Sequence, residues 1–194
     1  MPSPLVPSTS VEDLGAQADV ARWRALPELD DRRRAIWRRR ARLAASLVKP
    51  DSRVLDLGCG EMLLGDELPE GCRYVPSDCV PRDERTMVFD YNRELPPLGD
   101  YDYVTALGVA EYLVDPARFF AELSDYRTTL IFTYHPLELW GGGDPRQLGW
   151  PTLLDTVAIG RALRERDYVV IVETEVLTNE HLYVAIPSPI RLPR

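Results

Sequence analysis

Residues 54–61 read Val54-Leu55-Asp56-Leu57-Gly58-Cys59-Gly60-Glu61. A short apolar run that ends on an acid and breaks into two glycines predicts a buried strand turning sharply into a helix. Glycine has no Cβ, so the backbone can reverse tightly there and bring its amides close to a ligand. A carboxylate at the strand end suits a cationic or hydroxyl-bearing group. Two common phosphate-binding turns are excluded. The dinucleotide fingerprint needs a third glycine at position 63, where Leu63 stands, and Asp56 would repel a pyrophosphate. No Gly-Lys-Ser/Thr follows, so this is not a Walker loop.

The flanking pattern extends this unit. A helix is predicted from Asp30 or Asp31, with Trp37, Ala41, Ala44 and Val48 on one stripe and Pro50 as its end. After the strand Arg53 to Leu57, a short helix spans Glu61 to Glu67. Further strands are expected at Cys72 to Ser77, Thr86 to Phe89, Tyr101 to Leu107 and Thr128 to Tyr134. Asp115-Pro116 has N-cap and N1 chemistry for a helix carrying Phe119, Phe120 and Leu123. Residues 135–150 read as a loop. A helix from Thr152 to Arg166 is expected to turn Leu154, Val157, Ala158 and Leu163 inward. Tyr168 to Leu177 and His181 to Ile186 close the chain as a hairpin. Alternating strands and helices predict an α/β fold with a mostly parallel sheet and a C-terminal antiparallel hairpin.

The 194 residues suit one domain. Residues 30–186 are expected to form it. Residues 1–29 read as an N-terminal tail and lead-in, and 187–194 as a C-terminal tail, both rich in proline. No apolar run approaches the ~20 residues of a membrane helix. Met1-Pro2-Ser3-Pro4 has neither a basic nor an apolar leader segment. Cys59, Cys72 and Cys79 lack zinc spacing, and three cysteines cannot all pair with one another, so no metal site is expected. These features predict a cytoplasmic protein. The net charge is −8, while residues 22–53 alone carry eleven basic and four acidic side chains, or +7, which leaves −15 elsewhere. An acidic body argues against nucleic acid as the partner. The arginines of the first helix are either a solvated face or a site for a substrate phosphate. Lys49 is the sole lysine in the chain, so a general preference for arginine accounts for much of the pattern.

The acid-x-Gly-x-Gly turn after the first strand resembles motif I of the class I S-adenosylmethionine-dependent methyltransferases. Asp78, at the end of the second strand, stands where that family places its ribose-binding acid. Asp90-Tyr91 stands where it flanks the adenine. Tyr101 to Gly108 is similar to its fourth strand, and Val109-Ala110-Glu111-Tyr112-Leu113 to its Val-Leu-Glu-His segment. The resemblance covers about residues 30–186. It implies a Rossmann-like sheet and S-adenosyl-L-methionine as cofactor. The implied cofactor contacts are Asp56, Gly58, Cys59, Gly60, Asp78, Asp90, Tyr91 and Leu107. Three departures stand out. Met62 replaces the third glycine of the family pattern, and Tyr112 replaces the usual histidine. The connections between strands two, three and four are too short for ordinary crossover helices, so trimmed crossovers are expected there.

Catalytic candidates are Glu111, Tyr112, Tyr134 and His135, which end the fourth and fifth strands, where open parallel sheets bind ligands. His135 is either a proton acceptor or a strand-end cap. Trp140, Arg146 and Trp150 are candidates for acceptor binding, in a loop whose glycines suit a lid. The expected activity is methyl transfer to oxygen, nitrogen or carbon of a small molecule, such as a sugar or secondary metabolite. The alternative is a non-catalytic binding or regulatory subunit on the same fold. The oligomeric state is not legible in the sequence.

Overall fold

The computed structural model describes residues 21, 23, 24 and 30–189. The remainder of the two expected tails lies outside the described residues. Helix α1 (Asp31–Ala45) starts on Asp30, whose carboxylate accepts the Arg33 amide at 2.8 Å. Its stripe buries Ala41, Ala44 and, one turn past the helix, Val48. The helix ends at Ala45, before Pro50, because tighter three-residue bonds take over at Leu47 and Val48.

The chain then runs β1 (Arg53–Leu57), α2 (Leu63–Glu67), β2 (Arg73–Asp78), β3 (Met87–Val88) and β4 (Tyr103–Leu107). It continues through α3 (Pro116–Leu123), β5 (Thr129–Tyr134), α4 (Thr156–Arg164), β6 (Tyr168–Leu177) and β7 (Glu180–Pro187). One seven-stranded sheet has the order β3-β2-β1-β4-β5-β7-β6. The first five strands pair in parallel, and β7 lies antiparallel between β5 and β6. Among the described residues, no helix joins β2 to β3 or β3 to β4. The crossovers are therefore trimmed, and β3 shrinks to an edge pair.

Alternate residues of each central strand feed two cores. Leu55, Leu57, Val104, Ala106, Leu130 and Phe132 pack under α3 and α4. Val54, Tyr103, Leu107 and Ile131 pack under α1 and α2. Both faces are covered, which is why the strands read as unbroken apolar runs. Helix α3 follows its expected cap, with Asp115 accepting the Arg118 amide at 2.9 Å. Helix α4 is shorter than expected. Asp155 caps it by accepting the Ala158 amide at 2.6 Å, so it cannot start at Thr152. Ile159 and Leu163, one turn apart, form its buried edge. Val157 lies on the opposite side and is 60% exposed, contrary to the inward position expected.

The arginines of α1 do not simply face water. Arg34, Arg38 and Arg42, each one turn apart, pair with Glu61 at 2.8 Å and with Glu67 at 2.8 and 2.9 Å. Arg38 also reaches Asp66 at 3.2 Å. This row of charges fastens α1 to the short α2.

Candidate functional site

A cavity of about 310 Å³ opens at the carboxyl ends of β1, β2, β4 and β5. That volume lies in the range of small-molecule sites, roughly 300–1,000 Å³. The glycine turn forms one side. Gly58 and Gly60 have φ of +70° and +50°, a region that L side chains resist. A Cβ on Gly58 would also stand 2.4 Å from Val109 Cγ2. Met62 adopts φ of 59° and caps α2, so the turn tolerates a side chain where the family has its third glycine.

The turn is braced from within. The Gly58 amide donates to the Tyr91 hydroxyl at 3.0 Å, and that hydroxyl donates to Ser77 Oγ at 3.0 Å. The Cys59 amide donates to the Ser77 carbonyl at 2.9 Å. The Gly60 amide donates to Asp78 at 2.9 Å. The amides expected to hold a ligand are thus engaged by the protein. Tyr91 is buried and ties the turn to β2. Asp90 lines the cavity while its carboxylate accepts the Asn92 amide at 3.0 Å. Leu107 and Cys59 line the cavity as apolar contacts. Burial pushes the Cys59 thiol well up, so it stays protonated and unreactive.

Asp56 sits at the base, 3% exposed. Tyr74 and Thr105 hydroxyls donate to its two oxygens, each at 2.7 Å. Desolvation nevertheless pushes its carboxyl up to about 6.

The far wall holds Glu111 and His135. Glu111 is buried and accepts both the backbone amide of His135, at 3.1 Å, and its Nδ1, at 2.9 Å. A carboxylate only accepts, so Nδ1 carries the proton and Nε2 is left for a ligand. Tyr112 and Trp150 line the same wall. Tyr134 does not line the cavity. Its ring is fully buried, and its hydroxyl accepts the Leu154 amide at 2.9 Å. Trp140 packs behind Trp150 and bonds the Gly143 carbonyl at 2.8 Å, folding the glycine loop onto itself. Arg146 is exposed and pairs with Asp144 at 3.6 Å, away from the cavity lining. The 135–150 segment also carries two single 3₁₀ turns, Leu137–Leu139 and Pro145–Leu148, where a plain loop was expected.

Several lining residues escaped the sequence reading. Arg40 reaches the cavity and pairs with the buried Glu180 of β7 at 2.8 Å. Burial is the largest influence on Glu180 and opposes its ionisation, yet the Arg40 charge together with the Thr133 hydroxyl and the Arg40 hydrogen bond outweighs it and lowers the carboxyl below its ordinary value. Arg40 lies one turn from Trp37 and Ala44, and this inward row was its available signal. Its guanidinium packs on Gly108, where a Cβ would stand 2.4 Å from Nη1. Trp23 and Arg82 had no comparable signal. Among the described residues, no group of three or more His, Cys, Asp or Glu side chains could hold a metal ion.

This sheet order, with a glycine turn and strand-end acids around one cavity, defines a class I methyltransferase fold, whose cofactor is S-adenosylmethionine. The methyltransferase-domain family profile matches residues 29–173, and the chain belongs to that family. Solved structures agree on the fold. One is the chain bound to the Trm112 methyltransferase activator from Haloferax volcanii, at 18% identity and TM-score 0.67, covering 95% of this chain and 100% of that one. A second is the 1,6-didemethyltoxoflavin N1-methyltransferase of Burkholderia thailandensis, at 14% identity and TM-score 0.65, covering 97% and 93%. A third is the magnesium protoporphyrin IX methyltransferase of Synechocystis PCC 6803, at 17% identity and TM-score 0.59, covering 92% and 98%. A comparison with curated protein sequences gives no match.

Proposed function

We propose that this protein is a cytoplasmic enzyme that methylates a small molecule at an ionisable O–H or N–H, using S-adenosylmethionine. The observation that carries this reading is the Glu111–His135 pair on the wall of the cavity that the glycine turn opens. The Burkholderia and Synechocystis structures support it, since both contain S-adenosylhomocysteine and the former its small-molecule acceptor. No helix among the described residues is long and apolar enough to cross a membrane.

The residues present fit the cofactor. Carbonyls of the turn and the Asp56 carboxylate suit its ammonium end, Asp78 its ribose hydroxyls once the Arg82 guanidinium gives way, and the Leu107 and Val109 side chains its apolar surface. When bound, the cofactor supplies an electrophilic methyl on a sulfonium, which leaves as a neutral thioether. Much of the acceleration comes from holding acceptor and methyl in line. Glu111 fixes the imidazole of His135 with Nδ1 protonated. Nε2 then takes the acceptor's proton as its oxygen or nitrogen becomes a nucleophile. In this way β5 returns the histidine that Tyr112 displaces from the segment after β4.

Isothermal calorimetry with S-adenosylmethionine and S-adenosylhomocysteine tests the binding half. Micromolar affinity for either is expected. A second reading is a non-catalytic binding or regulatory subunit, favoured by the occupied Asp78 carboxylate. Absence of binding at millimolar concentrations would select it.

A further inference from the structure

The cavity has two chemically different ends. Around the glycine turn it is polar, with Asp56, Asp78, Arg82 and Asp90. The opposite end is walled by rings. Trp23, Tyr112, Trp150 and His135 all line it. Tyr112 meets Trp23 edge-on, with centroids 4.9 Å apart and planes at 78°. It meets Trp150 in the same manner at 6.2 Å and 84°. The His135 imidazole lies against the Trp150 indole at 4.7 Å and 37°. Trp140 backs Trp150 at 5.0 Å, so the indole is supported from behind.

Such a wall selects by shape. Aromatic side chains offer broad, rigid surface and favour flat partners that stack or dock edge-to-face. A polyol fits it poorly. Each of its hydroxyls would leave water, and the wall offers few polar groups to replace that water. Those groups are two pairs already bonded within the protein, Glu111–His135 and Arg40–Glu180. Trp150 Nε1, buried and without a hydrogen-bond partner in the described chain, is one further donor. A cationic acceptor also fits poorly. His135 becomes positive when it takes a proton and would repel a retained cation.

We infer that the acceptor is a planar hydroxylated aromatic or heteroaromatic ring. It packs against Trp23, Tyr112 and Trp150 and turns its ionisable O–H toward Nε2 of His135. This rests on reading the Glu111–His135 end as the acceptor site. The ring also makes the chemistry easier. An aromatic hydroxyl is far more acidic than an aliphatic one, so an imidazole can take its proton near neutral pH.

The test is calorimetric titration of the full chain, saturated with S-adenosylhomocysteine, against three probes. These are 2-naphthol, its saturated analogue trans-2-decalol, and tetraethylammonium. We expect 2-naphthol to bind at least tenfold tighter than either other probe. Trp23→Leu and Trp150→Leu should each weaken 2-naphthol about tenfold and leave S-adenosylhomocysteine affinity unchanged. Trp150 is buried, so if its variant fails to fold, the wild-type ratio and Trp23→Leu decide. Equal binding of 2-naphthol and decalol overturns the inference, as does tighter binding of tetraethylammonium or an unaltered Trp23→Leu. If S-adenosylhomocysteine itself does not bind, the methyltransferase reading falls, while the probe ratio still reports on the aromatic wall.

Discussion

Arg82 closes on Asp78 through two bonds, Nε to Oδ2 at 3.1 Å and Nη2 to Oδ1 at 3.3 Å. The amides of Gly60 and Val80 donate to the same two oxygens, at 2.9 and 3.2 Å. A carboxylate has about four acceptor positions, and here all four are filled. The acid proposed to meet the ribose is therefore held by the protein's own guanidinium, from the loop that stands in place of a helix between β2 and β3.

Arg82→Ala is expected to tighten cofactor binding severalfold, because the ribose hydroxyls no longer compete with the ion pair. The gain is about 1 kcal/mol, since Arg82 is partly exposed and screened. Asp78→Ala should weaken binding by about 1–3 kcal/mol through lost buried hydrogen bonds. Calorimetry with S-adenosylmethionine checks both. Unchanged affinity in Asp78→Ala removes the ribose role.

His135→Gln should reduce methylation of 2-naphthol by roughly 10²–10⁴-fold, the usual contribution of a positioned base. Affinity for S-adenosylmethionine should stay within about twofold, because the imidazole lies on the wall proposed for the acceptor. Glu111→Gln should fall between wild type and His135→Gln, since it keeps an acceptor for Nδ1 and loses the charge. Turnover measured with labelled cofactor separates the three. Equal turnover in His135→Gln rules out the base.

Asp56 links stability to pH. Its folded carboxyl titrates at about 6, above the ordinary value of 3.8. The folded state thus holds the proton more tightly than the unfolded chain. Stability from this group is present below about pH 3.8 and is lost as pH rises to about 6, by about 3 kcal/mol in all. Tyr74, Thr105, Asp78 and Arg40 are the groups that act on it. Asp56→Asn should remove this slope and raise stability at pH 7, with Thr105 Oγ1 turning its hydrogen to the Leu55 carbonyl. Urea denaturation at pH 4.5 and 7 measures it, and an unchanged slope in the variant refutes the assignment.

Gly58→Ala is expected to destabilise the fold by at least about 1–3 kcal/mol, through positive φ and the contact with Val109. Adding Val109→Ala should recover the steric part and leave the backbone part. Full recovery in the double variant would mean that φ carries no cost here.

Much of the fold was legible in the chain. Periodic apolar runs, the Asp115-Pro116 cap and the short connections specified the parallel strands, α3 and the trimmed crossovers, because each depends on neighbours within a few residues. Helix α4 was misjudged because Thr152 and Asp155 are both good caps, and only the docking of Ile159 under the sheet selects between them. The candidate site divided along the same line. Asp56, Gly58, Gly60 and Asp78 were visible because strand end and turn are local features.

Local patterns along the chain dictate where backbone must turn sharply and where acids must stand at strand ends. Which side chains meet depends on how the strands are ordered in the sheet. Arg40 finds Glu180 because β7 inserts beside β5 and brings its first residue under α1. His135 finds Glu111 because β4 and β5 pair in parallel, so the residues after each strand arrive at one edge. Backbone form follows from short-range sterics and periodicity. Charge pairing follows from strand order, which brings together residues far apart along the chain.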